Sequence, residues 1–349
     1  MTSILFIEPK NTLSGGHLEI NRLATLLSDA GYLVHRHYIF PNNCSLLSAF
    51  LLFPWFFALS YFRCLRNSPD LVICTHYSTL SHLFIFPSHC RICFLQDFEW
   101  LFPSDSIFLQ SIFKWLMLSC YSSCRSLIFA NKYLHSVFTQ FPRLQSSLIR
   151  FFLYPVGSQV LPSNNSLQAY TERIYDLIFI IRKGRQKSFE LYVQVINKLI
   201  SSFPSFRVAC IGHDTNKQFF VNSPNFVFYS YCSKSDLLSL FSSSKYYLLL
   251  SKHEGFGLPP LEAMSCGCVP ILLANGGCTN YIPSSYPFLL PLSSTPHAIL
   301  NMLSSSISMT SSEFHLFSEY CFSLFSNYNS QSLDLVESFI DDFSNFYPL

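Results

Sequence analysis

Charge is what this chain lacks. Only 12% of its 349 residues are Asp, Glu, Lys or Arg, about half the ~25% of an ordinary globular protein. The formal net charge is +2 and no basic stripe runs along any segment, which argues against a nucleic-acid-binding protein. The densest basic stretch, "IRKGRQK" (Ile181 to Lys187), matches the scale of one anionic ligand. A signal peptide is also missing from the reading, since "MTSILFIEPK" looks like a first strand. No short internal repeat and no Asp-x-Asp segment occur.

Apolar surface, by contrast, is plentiful. Half the residues are hydrophobic, with 37 Phe and 19 Tyr, and the length is comfortable for two cores. Thirteen cysteines make an odd count without framework spacing. Free thiols in a reducing cytoplasm are therefore expected. "CRIC" (Cys90 to Cys93) and "CYSSC" (Cys120 to Cys124) match no common zinc spacing, so no metal is expected. From Ser45 to Phe62, "SLLSAFLLFPWFFALSYF" carries no charge. Three readings stand for it: a buried or capping helix, a helix lying on a membrane surface, or a span. The third is weakened by Pro54 and by a length at the lower limit of about 20 residues.

Apolar, β-rich runs alternate with helical spacing. The first group comprises Ser3 to Glu8, Tyr32 to Phe40, Asp70 to Thr75, Arg91 to Gln96, Ser126 to Ala130 and Leu148 to Tyr154. Among the helices, "HLEINRLATLLSDAG" puts Leu18, Leu23, Leu26 and Leu27 on one face. The pattern pauses at Pro155 to Arg173, the best linker, and restarts with Tyr175 to Ile181, Phe206 to Gly212, Asn225 to Tyr231, Tyr246 to Ser251, Cys268 to Ala274 and "SYPFLLP". Near-continuous hydrophobic strands separated by helices predict parallel sheets covered on both faces. The expected fold class is α/β, with two doubly wound Rossmann-like domains facing a central cleft. The expected boundaries are 1–160, 174–311 and a helical segment, 312–349, packing back toward the N-terminal domain. Ligands in such sheets bind beyond the strands' carboxyl ends, so the loops there are the candidates.

Three loops stand out. "KNTLSGGHLEI" follows the first strand, and Gly15 and Gly16 let the backbone approach a phosphate at a helix start, although "SGGH" is neither G-x-G-x-x-G nor a Walker loop. In "IRKGRQK", Arg182 and Lys187 lie five apart across a glycine, a spacing that lets both heads reach one diphosphate; a solvated basic turn is the competing reading. In "KHEGFGLPPLEAMSCGC", Gly255 and Gly257 permit a tight turn, Pro259 and Pro260 suit a helix start, and Glu262 is expected in the helix's first turn. Glu254 and Glu262 would repel a phosphate. A carboxylate accepts two hydrogen bonds from a vicinal diol, so hydroxyl groups are their natural ligands. Cations for a diphosphate and acids for hydroxyls describe a nucleotide sugar.

"EGFGLPPLEAMSCGCVPILLANGG" resembles the signature of the GT-B retaining glycosyltransferases of family 4 (glycosyl transferases group 1). The resemblance implies that Glu254 contacts the donor sugar and Glu262 the ribose. It also implies that Arg182 and Lys187 hold the diphosphate, that Gly15 and Gly16 form the N-terminal glycine loop, and that Gly255, Phe256 and Gly257 line the donor. "CTHYS" (His76) and "FLQDFEW" (Gln96, Asp97, Glu99) follow strands and are expected to face the acceptor; the latter resembles segments of a subgroup that includes rhamnosyltransferases. Glu254, Asp97 and His76 are the candidate catalytic residues, with a packed, hydrogen-bonded histidine as the competing reading for His76. Asn280 stands where the family commonly has an acid, and "YPVGS" replaces its usual turn before the linker.

The implied activity moves a hexose from a nucleotide-diphosphate sugar to a saccharide or lipid-linked acceptor with retention, in cell-surface polysaccharide or glycan synthesis. It needs no metal or cofactor, the nucleotide sugar being a substrate, and domain closure is expected to exclude water. The expected location is cytoplasmic, with peripheral contact at the inner face of the membrane through 45–62 if that segment lies on a surface. A nucleotide-sugar epimerase and a degenerate, non-catalytic partner subunit of the same fold are the alternatives.

Overall fold

A computed structural model describes residues 1–9, 15–40, 58, 61–62, 68–101, 103, 106–146, 148–157, 170–183, 185–230 and 232–349. The apolar segment 45–62, apart from Ala58, Tyr61 and Phe62, lies outside them, as does most of the linker. Among the described residues no helix is long and apolar enough to cross a membrane. The chain divides into two units, Met1–Val156 with Ser332–Leu349, and Gly157–Gln331.

The first unit carries β1 (Ser3–Glu8), α1 (Gly15–Asp29), β2 (Leu33–Tyr38), β3 (Leu71–Cys74), β4 (Arg91–Leu95), α2 (Ile107–Tyr121), β5 (Ser126–Phe129), α3 (Lys132–Phe138) and β6 (Arg150–Leu153). Its six strands are parallel in the order β2-β1-β3-β4-β5-β6. Parallel strands buried on both faces need apolar residues at every position, and β3 and β5 are buried throughout. The buried face of α1 is Ile20, Leu23, Ala24 and Leu27, whereas Leu18 is exposed. This corrects the expected leucine face: the face turns with Ile20 and Ala24, one step along the 3.6-residue period. The chain's end packs here. Tyr347 Oη and Ser126 Oγ lie 2.6 Å apart, Tyr32 Oη donates to the Tyr347 carbonyl, and Phe339 and Phe343 meet Phe152. The thiols of Cys93 and Cys124 are buried together at 3.5 Å.

The second unit contains β7 (Tyr175–Ile181), α4 (Phe189–Ser202), β8 (Val208–Gly212), β9 (Phe226–Tyr229), α5 (Lys234–Ser242), β10 (Ser244–Leu249), α6 (Leu258–Ser265), β11 (Val269–Leu273), β12 (Leu289–Leu290) and α7 (Pro296–Ile307). The last helix, α8 (Ser311–Phe346), contributes to this unit as far as Gln331. Its sheet is again parallel, in the order β12-β11-β10-β7-β8-β9. After β9 the chain crosses back to lay β10 against β7, so the winding reverses between those two strands. That reversal opens a crevice at their carboxyl ends.

Arg173, the last residue of the expected linker, is instead a buried strut. Its guanidinium donates to the carbonyls of Phe241 (3.3 Å), Ser244 (2.6 Å) and Cys266 (3.1 Å), and it stacks on Phe314. Burial lowers its pKa. Phe241 lies at the end of α5 and Cys266 just past α6, where helices leave carbonyls unpaired and favour a cation. One side chain thus ties together the carboxyl ends of the two helices that carry the acid–base residues described next.

Candidate functional site

The reversal point of the second sheet gathers the loops after β7 and β10. Arg182 and Lys183 are exposed at the end of β7, and a short turn, Arg185–Lys187, leads through Ser188, in a left-handed conformation (φ 53°), into α4. The Lys252 amide donates to the Gln186 carbonyl at 2.8 Å, joining the two loops. That junction brings Lys187 Nζ to Glu254 Oε1 at 2.9 Å, with each side chain 18% exposed, and to the His253 carbonyl at 3.4 Å. Among the described residues Arg182 forms no ion pair. The structure therefore unites Lys187 with Glu254 and leaves Arg182 open to solvent.

Glycines let the surrounding backbone close on Glu254. A Cβ on Gly277 would sit 2.4 Å from the Glu254 carbonyl oxygen, and the chain bridges Glu254 to Gly276. Gly257 has φ +85°, a left-handed value that suits glycine, and caps α6. Its carbonyl accepts from Tyr281 Oη. The Phe256 ring is buried between Tyr281 and Tyr328, so it anchors the turn through the core. Asn280 donates to the Gly277 carbonyl at 2.6 Å and so serves the loop itself.

Glu262 does not fall in the first turn of its helix. Since α6 begins at Leu258, with Pro259 and Pro260 inside that turn, Glu262 is its fifth residue. It is 7% exposed, and its Oε1 is bonded by Lys234 Nζ. Lys234 was not among the sequence candidates. The available signal was its place at the first position of α5, where a lysine opposes the helix dipole and so calls for a nearby acid.

In the first unit, Gly15 opens α1 and a Cβ on Gly16 would lie 3.1 Å from Gln96 Oε1, so the glycine loop is close to the "QDFE" loop. His76 caps the turn Tyr77–Ile85: its Nδ1 lies 2.8 Å from Ser78 Oγ and accepts from the Ser78 amide at 3.3 Å. Burial and the neighbouring His17 push its pKa down to about 4, so the ring is neutral at physiological pH with its proton on Nε2. Asp97 Oδ1 accepts from the Phe98 amide at 2.7 Å. Glu99 is buried; desolvation and the Asp97 charge raise its pKa well above the usual range, while the Tyr77 amide works the other way. A further charged group that sequence reasoning passed over is Glu8, wholly buried at the end of β1 and held by Arg36 through two 2.6 Å bonds, with His17 Nε2 at 3.8 Å.

Residues 165–292, which contain Lys187, Lys234, Glu254 and Glu262, match the family model for glycosyl transferases group 1. This segment is a group 1 glycosyl transferase domain. The chain is 54% identical over 51 residues to a "Putative glycosyltransferase 41" of the Sulfolobus islandicus filamentous virus (isolate Iceland/Hveragerdi), covering 14% of this chain and 16% of that protein. It is 44% identical over 45 residues to the "Serotype-specific mannosyltransferase WbdA" of Escherichia coli, covering 13% of this chain and 6% of that protein. These matches thus span less than a fifth of either relative. Across the whole chain, the sucrose-phosphate synthase of Thermosynechococcus elongatus superposes with a TM-score of 0.69 at 14% identity, covering 99% of this chain and 98% of that one. The chain has the two-domain α/β GT-B fold.

Proposed function

We propose that this chain is a hexosyltransferase that moves a hexose from a nucleotide-diphosphate sugar to a saccharide or lipid-linked acceptor with retention, in cell-surface polysaccharide or glycan synthesis. The observation that carries the reading is the Lys187–Glu254 pair at the β7/β10 reversal of a group 1 transferase domain. A relative named as a mannosyltransferase supports a hexose as the group moved.

The Glu254 carboxylate and the Lys187 ammonium neutralise each other. A nucleotide diphosphate offers Lys187 a denser negative charge, and Arg182, exposed beside it, adds a planar fork. Lys187 moves to the diphosphate as negative charge builds on the leaving group, the point at which a fixed cation lowers the barrier. Glu254, released, accepts hydrogen bonds from the sugar hydroxyls and orients the anomeric carbon. The amides of Gly255 and Gly257 line the donor, while Phe256 holds their turn. Glu262 takes the ribose, and in the first unit Gly15 and Gly16 form the N-terminal glycine loop, which lets a phosphate approach the start of α1. On the acceptor side, Asp97 is the candidate to receive the hydroxyl proton, and neutral His76 offers its Nε2 proton as a hydrogen-bond donor. The nucleotide sugar is the substrate and no cofactor is called for.

A thermal-shift panel of UDP-, GDP- and dTDP-sugars on wild type and Glu262→Ala tests the donor site. A donor at 100 times its Kd raises stability by about 2.7 kcal/mol. One base class is expected to raise the wild-type midpoint and not the variant's. Turnover then separates the activities: a transferase consumes donor slowly until an acceptor is added, whereas an epimerase converts donor alone. Folded protein that responds to no donor overturns the proposal.

A further inference from the structure

The contact between Lys234 and Glu262 differs from the Lys187–Glu254 pair in who is exposed: the lysine side chain is 49% exposed and the carboxylate 9%. Lys234 is set rigidly. A reciprocal capping box, in which Ser233 Oγ accepts from the Asp236 amide and the Asp236 carboxylate accepts from the Ser233 amide, both at 3.1 Å, fixes it at the first position of α5. From the other end, Arg173 ties the Phe241 and Cys266 carbonyls together, which fixes α5 against α6 and therefore Lys234 against Glu262. A helix start is a poor place for a cation, so the pair is sustained by Glu262 and not by the helix.

Bonding by Lys234 occupies Oε1 of Glu262 and leaves Oε2 as an acceptor. A lone carboxylate would take both protons of a vicinal diol on its two oxygens. Here one oxygen already accepts from an ammonium that has further N–H donors to spare. Resting on the assignment of Glu262 to the ribose made above, we infer that Lys234 is a specificity-determining residue. Glu262 Oε2 accepts from one ribose hydroxyl and Lys234 donates to the oxygen of the other. The couple selects ribonucleoside over 2′-deoxyribonucleoside diphosphate donors. Loss of one hydroxyl removes one charge-assisted hydrogen bond from the couple, the kind of polar contact that discriminates between two sugars.

Calorimetric titration of the whole chain with UDP, dUDP, GDP and dGDP tests this. For the base that binds, the ribonucleotide is expected to bind about 10–100-fold more tightly than its deoxy counterpart. Lys234→Met should weaken the ribonucleotide, leave the deoxynucleotide nearly unchanged and bring the two to near parity. Lys234→Arg, which keeps a cation, should retain a preference, and a melting curve for each variant shows that it is folded. Equal binding of the two sugars by wild type, or an unchanged ratio in folded Lys234→Met, overturns the inference while leaving the donor site standing. Binding of none of the four probes overturns the inference alone if a dTDP-sugar shifts the thermal midpoint, and overturns the donor site itself if no donor does.

Discussion

Replacing Lys187 by Met separates stability from catalysis at one residue. At 2.9 Å, two opposite charges attract by on the order of 5 kcal/mol at an effective dielectric of ~20. Desolvation offsets much of that, and with each side chain 18% exposed, water screens the rest only partly. A net coupling of about 1–2 kcal/mol follows, between the exposed and the fully buried cases. Lys187→Met strands the Glu254 carboxylate and is expected to lower the thermal midpoint by roughly 2–8 °C, at about 2–4 °C per kcal/mol for a unit of this size. Glu254→Gln in the same background removes the stranded charge and should restore most of the loss. Activity should behave oppositely: Lys187→Met reduces kcat by about 10²–10³, and the double variant recovers none of it. The assays are a double-mutant cycle by calorimetry and turnover with saturating donor. Additivity of the two stability changes within about 0.3–0.5 kcal/mol would refute the pairing, and restored activity in the double variant would refute the role of Lys187 at the diphosphate.

Three further outcomes are expected. Gly277→Ala drives a Cβ into the Glu254 main chain at 2.4 Å; it should cost about 1–3 kcal/mol and weaken donor binding through displacement of Glu254, read by denaturation and donor titration together. Arg173→Met leaves the carbonyls of Phe241, Ser244 and Cys266 without their shared donor; destabilisation of about 3–5 kcal/mol is expected in urea unfolding of the intact chain. His76, held at about 4 in the folded state against ~6.5 unfolded, binds its proton first in the unfolded chain. It therefore draws stability down as pH falls from 6.5 to 4 and contributes nothing of this kind above 6.5. His76→Asn keeps a capping acceptor and should flatten that part of the melting-temperature profile while leaving the midpoint at pH 7.5 nearly unchanged.

The sheet strands were the most legible part of the sequence, because a strand buried on both faces is an unbroken apolar run. β1 and β7 begin and end where those runs do. β10 starts two residues before its run, at Ser244 and Lys245. Both are polar positions kept in the sheet by partners far away in the chain: Ser244 by Arg173, Lys245 by Asp176 at 2.7 Å. Pro259 and Pro260 lie in the first turn of α6, as suits a helix start, but the helix opens earlier, at Leu258, and so moves Glu262 to its fifth position. The same logic explains the site. Glu254, Gly255, Gly257 and Glu262 are adjacent in sequence and announce themselves by spacing. Their lysines come from 67 and 28 positions upstream, counted from Lys187 to Glu254 and Lys234 to Glu262, and only the reversal of strand order and the packing of α5 on α6 bring them in.

Arg173 donates to Phe241, Ser244 and Cys266 at their main-chain oxygens. Any residue placed at those three positions presents the same carbonyl, so substitutions there need not be matched by a change at Arg173. Among related chains built this way, the arginine would stand as an invariant position with no co-varying partner at those contacts. Methods that find contacts by correlated substitution would pass over it, even though it aligns the two helices that present Lys234 and Glu262.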